Sequence, residues 1–365
     1  MLHVVRTVAL PALLVGMLAA SPAHAEMASP FAPVAPQGSP AQCNDAVPEP
    51  VVSLAVTSIY DQTDKSRSSI DDEQFDTYTE GMSGLRDFLT YVTKAASDYV
   101  ASDGKKVVKA ACALDWIDAW AKGDAMADLD TRQSALSSTR IVAGMGVAYL
   151  SVRPYAEATG FDTSAIEAWF KARARDFVDV YEDSGDRGSN RSNHRYWGGF
   201  AVAVSGVVAD DRNLLDWGVE SFRIGVCQVD ANGALPLELE RAKKARDYHL
   251  HAIAPLVMIA ELAEANGIDA YALCDGAMHR LIKFALTSVG DPGEIEKLTG
   301  EKQVKLPTDD GAIRGDRLAW VEPYFKRFGG SEKDYGIKLN RPLFSSNLGG
   351  RLTSMVAAGS SPKAG

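Results

Sequence analysis

Apolar residues recur at three- and four-residue spacing along most of the chain, the pattern of amphipathic helices. In one long segment, for example, Ala252, Leu256, Ile259 and Ala263 share one face. The spacing predicts helices over residues 71–103, 107–122, 133–158, 162–182, 193–209, 212–229, 235–266 and 269–286, with a last one near 312–328. Alternation typical of strands is scarce, and residues 287–311 are predicted to form a loop. Short connections between successive helices favour an all-α toroid or solenoid of helical hairpins.

The two ends of the chain differ from this helical body. An apolar run follows Arg6, and residues 22–25 end in an Ala-x-Ala pattern, so residues 1–25 are predicted to be a signal peptide for export. The Pro-, Ala- and Ser-rich residues 26–50 favour a flexible leader. We expect a single domain over residues 51–350, a disordered tail over 351–365, and no membrane insertion, since no run reaches roughly 18 apolar residues.

Net charge narrows the choice of partners. The whole chain carries −10, and the predicted signal peptide contributes only the +1 of Arg6, which leaves −11 on the remainder. Such a chain is not expected to bind nucleic acid. An acidic partner would need a local basic patch, which can act because salt screens charges beyond about 8 Å. We expect a monomer.

Four cysteines follow the predicted signal peptide, and three pairings are possible. An exported protein can keep disulfides. We favour Cys43 with Cys112, which would attach the leader to the body, and Cys227 with Cys274. Buried unpaired cysteines are the alternative. Because no Cys-x-x-Cys pair occurs, a zinc site is not expected.

The first chemical candidate is the segment of residues 190–200. Asn190, Asn193, His194 and Trp197 lie at positions i, i+3, i+4 and i+7, which would place them on one helix face. An amide and an imidazole there could bind a polar ligand beside the aromatic plate of Trp197. The structural alternative is that Asn193 caps the helix and His194 is a hydrogen-bonded core histidine.

The second candidate lies within the predicted helix 235–266. Arg241 and Tyr248 are seven residues apart, nearly two turns, with Lys244 between them on the same side. The structural alternative is a solvated basic face. His249 and His251 are of metal-binding type, but two residues apart on a helix they point to different sides. We therefore predict no metal site and no cofactor.

The polar groups of the two segments together suit β-elimination on a uronic acid. The C5 proton becomes acidic only when the neighbouring carboxylate is neutralised, and Asn193 and Arg241, with His194, could hold the developing charge. The base must lie within hydrogen-bond reach of C5; Tyr248 is a candidate if cations help its phenol, whose usual pKa is about 10. Tyr248 or His194 would protonate the leaving oxygen, and Trp197 would stack on a sugar ring. A local positive field is expected from Arg187, Arg191, Arg195, Lys243, Lys244 and Arg246.

These segments resemble known sequence motifs. Residues 193–197, Asn-His-Arg-Tyr-Trp, resemble the Asn-Asn-His-Ser-Tyr-Trp motif of the periplasmic alginate lyases of polysaccharide lyase family 5. Residues 233–256 resemble that family's second signature, and residues 112–121 its Cys-x-Leu-x-x-Leu-x-x-Trp-Ala element. Residues 60–67 resemble its lid loop and 347–350 its C-terminal motif. The resemblance covers roughly residues 55–350.

The resemblance implies an incomplete α/α toroid whose cleft is covered by a lid. It also implies cleavage of β-1,4-linked mannuronate in an acidic polysaccharide, by elimination without a metal, leaving 4,5-unsaturated uronate ends. The family's catalytic residues fall on Asn193, His194, Arg241 and Tyr248. The substrate contacts that we expect around them are Tyr60, Lys65, Arg67, Trp197, Arg195, Lys244 and His249.

Three departures from the family pattern bear on substrate choice. Arg195 stands in place of Ser, Gly198-Gly199-Phe200 in place of Ala-Ala-Trp, and Arg246-Asp247 in place of a more usual step before the tyrosine. Extra charge beside the cleft would admit glucuronate-containing polymers such as glucuronan or hyaluronan.

Two other classes of function compete with a lyase. The same toroid could be a non-catalytic polyuronate-binding component of an export system, but the intact Asn, His, Arg and Tyr set argues against it. A glycoside hydrolase would need two carboxylates flanking the scissile bond. Glu238, Glu240 and Asp247 lie in the second segment, but no matching acid lies near His194.

Overall fold

The computed structural model describes residues 26–183, 185 and 188–358; the predicted signal peptide lies outside them. Its α-helices are α1 (Asp72–Gly81), α2 (Ser83–Ala101), α3 (Val107–Lys122), α4 (Arg132–Thr159), α5 (Ser164–Glu182), α6 (Asn193–Val208), α7 (Arg212–Val226), α8 (Pro236–Leu239), α9 (Ala245–Ala265), α10 (Leu273–Gly290), α11 (Gly293–Thr299), α12 (Gly315–Leu318), α13 (Val321–Phe328) and α14 (Leu352–Ala357). Single 3-10 turns lie at Gly188–Asn190, Ala242–Lys244, Glu332–Tyr335 and Ser346–Leu348. The prediction of a mainly helical body is confirmed.

The strands of the described residues are two residues long and form three separate pairs. β1 (Ser53–Leu54) pairs in parallel with β2 (Asp128–Leu129). β3 (Thr308–Asp309) pairs antiparallel with β4 (Ala312–Ile313), and β5 (Phe344–Ser345) with β6 (Gly350–Arg351). These short pairs join loops at the ends of the helices.

Local sequence signals mark several helix ends. The side chains of Asp71, Thr131 and Asp211 each precede a helix and accept a backbone N–H of its first turn, which satisfies a donor that has no partner within the helix. At the other end of α4, Gly160 adopts a left-handed conformation with φ of 67°, which glycine adopts without steric cost.

Helix α6 lies at the centre of the core and packs against α4, α5, α7 and α9. All of its residues except His194 are buried. Gly199 and Gly218 let α6 and α7 approach closely, since a Cβ at Gly199 would collide with the Ser221 side chain and one at Gly218 with Ala203. Gly198 packs against the Tyr181 ring in the same way. The Gly198-Gly199 departure therefore serves helix packing.

Several predicted boundaries are wrong. The predicted helix 71–103 is broken at Met82, and the predicted helix 235–266 is divided into α8, a 3-10 turn and α9. The predicted loop 287–311 contains α11, and the predicted helix near 312–328 is two shorter helices after β4. The predicted disordered tail 351–365 starts too early, because Leu352 and Met355 of α14 are buried in the core; residues 359–365 lie outside the described range.

The leader of residues 26–50 is irregular in backbone but is held against the body, contrary to the expected flexibility. Met27 and Val34 are buried. The Tyr99 hydroxyl donates to the Val34 carbonyl at 2.7 Å, and the Trp120 indole N–H to the Pro48 carbonyl at 2.9 Å. These aromatic side chains fix the leader across α2 and α3.

The favoured cysteine pairing is confirmed, since disulfides join Cys43 to Cys112 and Cys227 to Cys274. The first attaches the leader to α3. Within the described residues one helix, Arg132–Thr159, has the length and the mean hydropathy, 1.2, of a membrane span. Because 94% of the apolar window is buried inside the protein, this helix is a core element here.

Candidate active site

Two adjoining cavities of about 410 and 550 Å³ form a cleft over the start of α6. They share walls made by Arg67, Gln133, His194 and Arg241. The polar and aromatic lining of the first comprises Ser58, Tyr60, Arg67, Phe75, Tyr78, Arg86, Gln133, Ser137, Arg140, Asn193, His194, Trp197, Arg241, Lys244, Asp247, Tyr248, His251 and Arg317. Lys65, Arg132 and Glu240 line the second. The cleft is thus strongly cationic although the chain is acidic overall.

The four predicted catalytic residues meet in this cleft. Asn193 is the first residue of α6 and His194 follows it, so both side chains project from a helix start. Arg241 lies between α8 and the 3-10 turn, whereas Tyr248 is in the first turn of α9. Arg241 and Tyr248 therefore do not share one helix face as predicted. The turn instead folds the Arg241 guanidinium over the Tyr248 ring, 4.4 Å from its centre.

His194 is held neutral in the cleft. Burial, and to a lesser extent the charges of Arg241 and Arg140, together lower its pKa to about 3. A neutral imidazole carries a free lone pair at neutral pH. His194 can therefore accept a proton there, and an anionic ligand that offsets the surrounding guanidinium charges would strengthen it as a base.

Tyr248 is held in its protonated form. Burial raises the pKa of its phenol well above the usual value, and the nearby Tyr60 raises it further, while Arg241 acts in the opposite direction. We expected cations to help ionise this phenol, but the effect of burial outweighs that of Arg241. The Tyr60 and Tyr248 hydroxyl groups are in hydrogen-bond contact. In this state Tyr248 is a proton donor.

The loop of residues 60–70 covers the cleft as the resemblance implied. Its ends are joined by a bridge between Tyr60 and Ile70. Inside the loop, the Asp64 carboxylate accepts bonds from Ser66, Ser68 and Ser69, and these bonds hold the pKa of Asp64 below its usual range. The loop places Lys65 and Arg67 against the cavities.

Two expected substrate contacts are corrected by the structure. Arg195 is buried away from the cleft, where its Nε donates to the Ser221 hydroxyl at 2.8 Å and its guanidinium lies 3.8 Å from the centre of the Trp217 ring. His249 is fully buried as well. Its Nδ1 donates to the Ala245 carbonyl at 2.8 Å and its Nε2 accepts the Leu235 N–H at 2.9 Å.

The expected positive field also has different sources. Arg246 is buried and donates to the Ser288 and Val304 carbonyls, and Lys243 is exposed outside the lining. Arg191 does not line the two cavities, and Arg187 lies outside the described residues. Of the five described residues proposed for the field, Lys244 alone lines the cleft.

Asn190 does not join the predicted polar face, because it lies in the 3-10 turn before α6. Its amide nitrogen donates to the Tyr181 and Gly185 carbonyls, and its oxygen accepts from Arg132. It thus secures the turn in front of the cleft.

The sequence reasoning missed part of the lining. Arg140 and Arg317 line the first cavity and a smaller one of about 240 Å³ beside it. Arg140 is the only charged residue between positions 133 and 152 of α4, which was an available signal, and it donates to the Tyr78 hydroxyl at 2.9 Å. His251 also faces the cleft, 5.2 Å from the Trp197 ring centre. Burial lowers the pKa of His251 well below its usual value.

Comparisons with known proteins identify the family. The family model of alginate lyases matches residues 55–295. The chain belongs to the alginate lyase family. The alginate lyase of Pseudomonas aeruginosa is 33% identical over 97% of this chain and 98% of its own length, and that of Cobetia marina is 31% identical over 85% and 83%.

Solved structures confirm the fold. Alginate lyase A1-III of Sphingomonas species A1 superposes with a TM-score of 0.71 at 25% identity, covering 88% of each chain. A histidine-to-alanine variant of alginate lyase A1-III, complexed with a tetrasaccharide, gives 0.71 at 26% identity over 86% and 85%. The predicted incomplete α/α toroid is therefore confirmed, and the protein is a polysaccharide lyase.

Proposed function

We propose that this lyase cleaves β-1,4-linked mannuronate in alginate or polymannuronate by β-elimination, leaving 4,5-unsaturated uronate ends. The observation that carries the proposal is that a neutral imidazole, a protonated phenol and a guanidinium converge in one cationic cleft. Elimination needs these three groups: a base, an acid and a charge that stabilises the carboxylate. The similar lyase A1-III, whose variants hold a tetrasaccharide, supports an oligosaccharide ligand.

The reaction divides between these groups as follows. Arg241, with Arg67 and Arg140 beside it, binds the C5 carboxylate and stabilises the negative charge that develops there. His194 takes the C5 proton, and the electron pair of that bond forms the C4–C5 double bond. The C4–O bond breaks, and Tyr248 donates its proton to the departing oxygen. Trp197, at the cleft wall, offers a face for a sugar ring.

The positions of the residues that depart from the family motifs change their expected effect on substrate choice. Arg195 packs in the core and Gly198 and Gly199 serve helix contacts, so none of them widens the substrate range. Asp247 does line the cleft, where its carboxylate pairs with Arg317 at 3.1 Å. We propose mannuronate as the preferred sugar, with glucuronan and hyaluronan as the alternatives to be tested.

The assay measures product chemistry directly. The protein is incubated with polymannuronate, polyguluronate, glucuronan and hyaluronan, and ultraviolet absorbance of the 4,5-unsaturated ends is followed beside the count of new reducing ends. We expect the absorbance to rise fastest with polymannuronate. Polymer binding without absorbance from any substrate would contradict the lyase proposal, and reducing ends without absorbance would indicate hydrolysis.

We also propose that the protein acts in the periplasm as a monomer. The support is the signal-peptide pattern of residues 1–25 and the two disulfides, because disulfides persist in oxidising compartments. Cell fractionation with N-terminal sequencing should find a mature chain that starts at Glu26, and light scattering should give the mass of one chain. Retention in the cytoplasm or a dimer mass would contradict these proposals.

A further inference from the structure

A buried carboxylate lies directly behind one of the residues at the cleft wall. Glu238, in α8, is fully buried. Its Oε1 accepts the backbone N–H of Asn193 at 2.8 Å, and both of its carboxylate oxygens lie 3.0 Å from the Asn193 Nδ2. Glu238 does not line either cavity of the cleft, whereas Asn193 lines the first.

These contacts fit the ionised form of Glu238. A protonated carboxyl must donate its hydrogen, but every hydrogen-bond partner that the described residues offer Glu238 is itself a donor. The carboxylate also faces the N-terminus of the 16-residue helix α6, where a negative charge is favoured. Burial raises the pKa of Glu238, while the hydrogen bonds from Asn193 and the charge of Arg241 act in the opposite direction and favour the carboxylate.

The ionised carboxylate determines which way the Asn193 amide faces. With the amide rotated by half a turn, its oxygen would lie about 3 Å from both carboxylate oxygens, and acceptors at such a distance repel each other. The nitrogen is therefore directed towards Glu238. In the described part of the chain, no protein donor binds the amide oxygen of Asn193, and that oxygen is left to the cleft.

We propose that Glu238 is a positioning residue, which makes Asn193 present a hydrogen-bond acceptor to a ring hydroxyl of the bound uronate. This inference rests on the proposed lyase function. It differs from the role expected from the sequence, in which Asn193 helps to hold the charge that develops on the carboxylate.

The composition of the cleft supports a hydroxyl as the ligand. Donors for a carboxylate are plentiful, from Arg67, Arg140 and Arg241. Acceptors are scarcer, and Asp247 is already paired with Arg317. A sugar hydroxyl must donate to an acceptor when water is excluded. An acceptor next to His194 would hold the ring so that the C5 proton faces the imidazole, which is an orientation effect on the chemical step.

The test is Glu238→Gln, which keeps the shape of the side chain. Its Oε1 can still accept the Asn193 backbone N–H, so its new amide nitrogen faces the Asn193 side chain and turns that oxygen inward. Asn193 then presents a donor to the cleft. We expect kcat on polymannuronate to fall about tenfold or more, while KM stays unchanged or falls, because the new donor can bind the carboxylate.

Two comparisons separate positioning from a loss of structure. In an Asn193→Ala background, Glu238→Gln should change kcat by less than about twofold, because its effect passes through the missing amide. The control is Glu261→Gln, which alters another buried carboxylate, bonded to Tyr271 and Arg327, and should leave kcat unchanged. An unchanged kcat in Glu238→Gln, or an equal loss without Asn193, would overturn the proposal.

One readout does not depend on activity and so separates this proposal from the lyase proposal. The side-chain NH₂ of Asn193 should exchange slowly with water in the wild type, because it is bonded to Glu238, and faster in Glu238→Gln. The measurement is the ¹⁵N–¹H signal of this amide, assigned by its absence from Asn193→Ala. Equal exchange in both proteins would overturn the positioning role even if the wild type is an active lyase.

Discussion

The neutral His249 should make the stability of the protein dependent on pH. This imidazole is fully buried, donates from Nδ1 to Ala245 and accepts at Nε2 from Leu235, so no site is left for a second proton. Burial lowers its pKa to about 4, against about 6.5 in an unfolded chain. Because the folded pKa is the lower one, stability is complete above about pH 6.5 and is lost as the pH falls towards 4.

The size of the effect follows from these two pKa values. At pH 5.5 about 90% of unfolded chains have bound a proton at this histidine, whereas the native imidazole, with a pKa of about 4, remains almost entirely neutral. The linkage lowers the free energy of unfolding by about 1.4 kcal/mol at pH 5.5 and by less than about 0.1 kcal/mol at pH 7.5. His249 alone therefore accounts for a loss of about 1.3 kcal/mol between these pH values.

Comparison with His249→Gln isolates this contribution. The other histidines and the buried carboxylates are present in both proteins and cancel. Urea unfolding, followed by circular dichroism at pH 7.5 and 5.5, should show a lower stability for the variant at pH 7.5. The free energy of unfolding that the variant loses between pH 7.5 and 5.5 should be smaller than the loss in the wild type by about 1.3 kcal/mol. Equal losses in the two proteins would refute a neutral native His249.

Three other substitutions test the cleft and the core. Tyr248→Phe should abolish product absorbance while polymer affinity is kept, because only the proton donor is lost; near-normal rates would show that another group protonates the leaving oxygen. Arg241→Lys should lower kcat/KM by about tenfold or more, because a point charge cannot make the two parallel hydrogen bonds of a guanidinium, and wild-type turnover would exclude that role. Arg195→Met should lower the stability, measured by thermal unfolding, by about 2 kcal/mol, because the contact with Trp217 is lost. The kcat and KM should be nearly unchanged, and a strongly raised KM would show that Arg195 contacts the substrate after all.

The elements predicted best are those that depend on local pattern. Helical spacing identified the body of the chain, and the segments around Asn193 and Tyr248 do form one cleft. Breaks within the predicted helices were missed where tertiary contacts determine the position of the break. The turn between α8 and α9 is stabilised in part by Gln303, whose side chain donates to the Ala242 carbonyl and accepts the Arg246 N–H, and a partner so far along the chain leaves no local signal.

The wrong substrate contacts share one cause, which is that neighbours in sequence were taken for neighbours in space. On a helix, Arg195 points about 200° away from Asn193, and so it enters the core. Likewise His249 points away from Tyr248. His251, three residues after Tyr248, returns to the cleft side. The periodicity that predicted the helices would thus have favoured His251. Arg317 comes from a distant helix, which the spacing along α9 could not predict.

The anchored leader has a consequence for the order of folding. Its first described residues bind late parts of the chain: the Met27 N–H donates to the Asp210 carboxylate, and Ala28 exchanges two hydrogen bonds with Asn266, 238 residues away. Contacts so distant in sequence close only after the intervening chain has formed. The leader, although early in the sequence, is therefore expected to dock among the last elements. Until then it remains accessible to binding partners of the unfolded chain, and its attachment marks completion of the ring of helices.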